Sequence, residues 1–150
     1  MLKKLQYPLP EVAAEWSQIT DRHFSENDIL KIAADALLPY VLKSQGIKLT
    51  NQQMLQHPAL NLHFYSATQI AIKNENGQPD GAFMGRLFID ADHVAKIIKD
   101  GYVDVLVGYD TDTMQVFHFA KPVKVAKDDL VVTAENKALF EARYLGMHHD

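Results

Sequence analysis

The chain has 150 residues, 47% of them apolar and 23% charged, with a formal charge of −4 and no cysteine. That length suits one domain with a real core, and the composition excludes a disordered chain. The missing cysteine excludes a disulfide framework and thiolate metal sites. No apolar run approaches the ~20 residues of a membrane-spanning helix, and the stretch from Met1 to Trp16 lacks the apolar core of a secretory signal. A cytoplasmic location is therefore expected. The negative charge gathers toward the C-terminal third, and no basic tail or stripe offers itself to nucleic acid.

In chain order, Leu9 to Ile19 reads as a short amphipathic helix, with Pro10 in its first turn and Val12, Ala13, Trp16 and Ile19 on one face. Trp16 is expected to pin this helix to the next. Ser25 then caps a second helix, with Asp28 three residues on and Ile29, Ile32, Ala33, Ala36 and Leu37 at helical spacing. Pro39 ends it, Pro39 to Leu42 looks extended, and Thr50 opens a third short helix that stops near His57-Pro58.

From Leu60 the apolar period changes to two, which predicts a strand through Ile72 with a bulge near Ser66–Thr68. Asn74 to Gly81 is dense in turn formers, and Phe83 to Ile89 returns as a strand, with Gly85 at a bulge or close approach. Asp90 caps a helix closed by Gly101. Val103–Tyr109 and Met114–Ala120 form a hairpin, Pro122 interrupts the second strand, and short extended pieces follow. Thr133 caps a last helix that presents Leu139, Ala142 and Leu145.

The pattern predicts an α+β fold in one compact unit. A helical, winged-helix-like lobe over residues 8–57 precedes a mostly antiparallel sheet lobe over 58–150, with helices near 90–100 and 134–145.

Few residues carry chemistry. Asp110 and Asp112 form an Asp-x-Asp pair, but turn chemistry between two strands accounts for them, because a calcium loop needs more oxygen donors and a glycine. Of the seven histidines, only His63 and His118 fall where two strands could bring them face to face. No nucleophile elbow, phosphate loop or dinucleotide fingerprint is present, so neither enzymatic activity nor a cofactor is expected.

Residues Tyr7 to Trp16, followed by Ser25-Glu26-Asn27-Asp28-Ile29-Leu30, resemble the opening of excisionase and MerR-type helix-turn-helix segments in small proteobacterial prophage and mobile-element proteins. The stretches Gly85–Ile89 and Lys127–Thr133 through Glu141 are similar to the same group. The resemblance implies a non-catalytic, DNA-associated regulator. Lys3, Lys4, Arg22, Lys43 and Lys48 would then be the cations that meet phosphate. The second helix carries Glu26, Asp28 and Asp35 with Lys31 its one cation, which favours the alternative of a protein-binding module on a helix-turn-helix-like scaffold. Either partner is compatible with a homodimer.

Overall fold

The computed structural model describes residues 4–34 and 60–146. The extended stretch expected from Pro39 and the helix expected near 50–57 lie outside the described residues.

Strand β1 (Gln6–Pro8) runs straight into helix α1 (Leu9–Thr20), where Pro10 sits in the first turn and loses no hydrogen bond. Asp21 in the left-handed region stops the helix, and Ser17 Oγ accepts from the Phe24 amide to hold the turn. At Ser25 a reciprocal pair forms: the Asp28 amide donates to Ser25 Oγ and the Ser25 amide donates to Asp28 Oδ2. This capping box opens α2 (Glu26–Ala34), and the hydrogen bond from the Ser25 backbone holds the Asp28 carboxyl below its ordinary range.

Strands β2 (Leu62–Lys73) and β3 (Pro79–Ile89) form a long hairpin whose turn is tied by Asn74 Oδ1, which accepts from the Asn76 and Gln78 amides. The register breaks between Ser66 and Ile70, as the sequence predicts, and Gly85 stands opposite Ser66 at φ 133°. Helix α3 (Ala91–Asp100) is capped by Asp90 Oδ1, which accepts from the His93 amide at 2.8 Å, and closes at Gly101. Strands β4 (Tyr102–Asp110) and β5 (Gln115–Ala126) form the second hairpin. A short 3-10 turn, strand β6 (Leu130–Thr133) and helix α4 (Ala134–Tyr144) complete the chain, with Thr133 Oγ1 capping α4 through the Asn136 amide.

All the described pairings are antiparallel, in the order β1-β6-β2-β3-β4-β5, and the far end of β2 also pairs with β5. The second contact closes β2, β3, β4 and β5 into a small barrel, while β6 and β1 extend from the first half of β2. The break near Ser66 lets one strand do both: His63 pairs with Val131 of β6, and Ile72 pairs with Phe119 of β5. Leu87, Val103, Val105, Phe119 and Val125 fill the barrel, and Leu9, Val12, Trp16, Leu130 and Val132 continue the same core under the helices.

Three expectations are corrected. Trp16 is fully buried, but it stacks on Phe140 of α4 at 4.8 Å and meets Phe24 edge-on, so it pins α1 to the C-terminal helix and to the turn before α2. The face that α4 buries is Asn136, Lys137, Phe140 and Glu141, whereas Leu139 is 63% exposed. Strand β5 runs unbroken through Pro122, which falls where the register jumps from Val105↔Val123 to Val107↔His118 and no ladder bond is asked of it.

Candidate functional site

Of the five cations assigned to phosphate contact, Lys3, Lys43 and Lys48 lie outside the described residues. Lys4 is held by Glu11 in the first turn of α1 and rests over the Tyr7 ring. Arg22 lies exposed beyond the last turn of α1, roughly 18 Å away along a 12-residue helix. The two described cations therefore stand at opposite ends of α1.

His63 and His118 do not face each other. They sit near opposite ends of β2, His63 paired with Phe88 and Val131, His118 paired with Lys73 and Val107. Among the described residues no three His, Asp or Glu side chains converge to hold a metal ion. Asp110 acts as a turn residue, its Oδ1 accepting from the Asp112 amide at 2.9 Å.

The registers instead reveal a row that the sequence does not display. Pro8, Val131, His63, Phe88, Tyr109 and Val116 are successive cross-strand neighbours from β1 to β5. Directly opposed residues point to the same side, and this side lies away from the helices, because Leu62, Phe64, Leu87 and Leu130 point into the core. His63 is nevertheless only 2% exposed on this outer face. Phe88 meets its ring edge-on at 5.7 Å, Nε2 lies 3.3 Å from Thr111 Oγ1, and Nδ1 has no hydrogen-bond partner. Arg86, in the next row, reaches Asp112 at 3.6 Å and Gln6 at 3.4 Å. Burial and then the Arg86 charge depress the His63 pKa to about 4, against a weaker opposing pull from Asp110. At neutral pH the site is thus a neutral imidazole bonded to a hydroxyl beside an arginine and two carboxylates. That is a set for hydrogen bonding and ion pairing.

A second polar centre lies between α1 and α4. Lys137 Nζ donates to Glu141 Oε2 at 2.8 Å and to Glu15 Oε1 at 2.9 Å, while Trp16 Nε1 donates to the same Glu141 oxygen at 2.7 Å. Lys137 also lies 4.8 Å from the Tyr7 ring centre. Burial alone would lower the Lys137 pKa, but the hydrogen bonds that the side chain donates to Glu141 and Glu15 outweigh it and raise the value. The i,i+4 spacing of Lys137 and Glu141 was visible in the sequence, yet that spacing usually marks a solvated helix face.

Apolar side chains gather on the outer surface of the β4–β5 hairpin. The register break at Leu106 turns Leu106 and Val107 outward together, 60% and 43% exposed, between the buried Val105 and Gly108. Val116 and Met114 extend this surface on β5 and in the turn before it. Elsewhere, a cleft of about 360 Å³ between α2 and α3 is floored by Leu30, Ile97 and Ile98 and rimmed by Asn27 and Lys127. No helix among the described residues is long and apolar enough to cross a membrane. No known family model, curated protein or solved structure matches the chain.

Proposed function

We propose that the protein acts without catalysis, as a binding module for another protein, through the outer surface of the β4–β5 hairpin. The observation that carries this reading is the bulge that turns Leu106 and Val107 to the same side, beside Val116 and Met114. Contiguous exposed aliphatic side chains on a small domain favour a protein partner. They suit nucleic acid poorly, since single strands are bound on aromatic platforms and in basic grooves. The acidic balance of the chain points the same way.

A second reading keeps the DNA-associated regulator of phage or mobile-element type, with a winged-helix-like N-terminal lobe and a cytoplasmic location. It is favoured by the sequence of α1, a five-residue turn and α2, the outline of a helix-turn-helix. Against it stand the separation of Lys4 from Arg22 and the acidic Glu26 and Asp28 on the helix that would enter the groove.

One pair of measurements separates the two. Proteins captured from the producing cell by the intact chain are compared with those captured by Leu106→Asp/Val116→Asp, a change confined to exposed positions. A specific partner lost in the variant supports the protein-binding reading. A mobility shift on random duplex at low salt that vanishes in Lys43→Glu/Lys48→Glu, with no such partner found, supports the regulator instead.

A further inference from the structure

The barrel has one weak seam. Strands β2 and β3 share eight paired positions, as do β4 and β5, but β3 and β4 share only Phe88↔Tyr109 among the described residues. Two side-chain clasps cross that seam beside the single rung. His63 reaches from β2 over Phe88 to Thr111 at the end of β4, and Arg86 of β3 reaches Asp112 in the following turn. Behind the seam lies tightly packed apolar chain, since a Cβ on Gly108 would stand 2.6 Å from both Leu87 Cδ1 and Phe119 Cζ.

We propose that the β3–β4 seam is an acid-opened joint of the barrel, kept shut by a neutral His63 and by the Arg86–Asp112 pair. A proton on His63 would place a cation in a site with 2% exposure, next to Arg86 and with Nδ1 left without an acceptor. Parting β3 from β4 relieves that arrangement by letting water reach the ring. The groups facing His63 divide by element. Strand β3 presents Arg86 and Phe88, and the end of β4 presents Asp110, Thr111 and Tyr109, with Asp112 just beyond. Strand β6 presents Val131, β1 presents Gln6 as the far partner of Arg86, and β2 itself carries Tyr65 on the same side. The carboxylate of Asp110 opposes the proton's eviction, but burial and the Arg86 charge outweigh it, and Asp112 is engaged with Arg86. Loss of the Asp112 charge would free Arg86 and act in the same direction as protonation of His63. Opening the seam exposes Leu87 and Phe119 while leaving the α1–α4 packing untouched.

The test is amide hydrogen exchange on the full chain, read by NMR as protection factors at pH 7 and pH 5. A ring midpoint moved from 6.5 to about 4 predicts on the order of 20-fold more opening at the lower pH. That loss is expected at Phe88 and at Val107 to Tyr109, with α1 and α4 unchanged, and it should disappear in His63→Gln. Equal loss of protection in every strand, or a local loss that persists in His63→Gln, overturns the proposal. Should that variant not fold, the ring resonances of His63 in the native protein decide. A midpoint well below the ordinary histidine range, coinciding with the loss at β4, supports the joint, and an ordinary midpoint or no coincidence overturns it.

Discussion

Two polar side chains of this protein are buried to nearly the same degree, Lys137 at 6% exposure and His63 at 2%, and they end in opposite charge states. Both lose hydration, which by itself penalises the charged form of each. Lys137 keeps its proton because Glu141 and Glu15 accept hydrogen bonds from it. His63 loses its proton because burial is reinforced by the Arg86 charge, Asp110 opposes it only weakly, and its Nδ1 meets no acceptor. Burial sets the size of the penalty, and the sign of the neighbour decides whether the group tolerates it or discharges. The α1–α4 clamp is accordingly a fixed structural joint. The outer sheet face is the place where a change of solution conditions can be felt.

The largest effect should come from breaking the clamp. Glu141→Ala leaves Lys137 with one carboxylate and takes the acceptor from Trp16 Nε1. Removing one member of such a buried set costs about 3–5 kcal/mol, read as a fall in the urea midpoint. Replacing both charges together, as Lys137→Met with Glu141→Leu, should cost less, about 1–3 kcal/mol, because the ion pair goes as a unit and only Trp16 Nε1 is left without its acceptor. If the double change costs as much as the single one, the clamp's contribution is not the ion pair.

The His63 face should answer to acid. Its folded pKa lies below the unfolded value, so between pH 6.5 and about 4 the unfolded chain binds more protons and stability falls as pH falls. The full effect is about 3 kcal/mol, and above pH 6.5 this group adds no pH dependence. Thermal melts across that window should flatten in His63→Phe. Lys137 gives the mirror image: its raised pKa keeps the clamp through the neutral range and weakens it only as pH rises beyond 10.5.

A smaller change sharpens the comparison at the seam itself. Gly108→Ala puts a methyl 2.6 Å from Leu87 Cδ1 and Phe119 Cζ, and overpacking of that kind costs about 1–3 kcal/mol. If the joint is as loose as a single rung suggests, part of that strain should appear as faster exchange in β4 before any drop in melting temperature. The smallest effect belongs to Thr133→Ala, which removes the α4 cap that seats Lys137 and Glu141, at about 1 kcal/mol. Thr133→Ser should restore it, since serine caps at least as well.

What the sequence determined alone is the local part of this protein. Pro10 at a helix start, the Ser25–Asp28 box, the Asn74 turn, Asp90 and Gly101 at the ends of α3, and Thr133 before α4 all sit as their spacing predicts. Each is decided by atoms within about four residues, so a linear reading contains the whole interaction. The α+β class followed from the change of period at Leu60 for the same reason. Tertiary structure alone decided the rest. Closure of the barrel required β2 to meet β5 at Ile72↔Phe119, a pairing that no turn residue encodes. The buried face of α4 escapes a linear reading because Lys137 and Glu141 look like solvated residues until Glu15 and Trp16, more than 120 positions earlier, arrive to pair with them. His63 reads as half of an alternating strand, and only the row across six strands shows it enclosed between Phe88, Thr111 and Arg86. A polar side chain's burial is fixed by the partners it finds. Those partners come from segments whose distance along the chain says nothing about their distance in space.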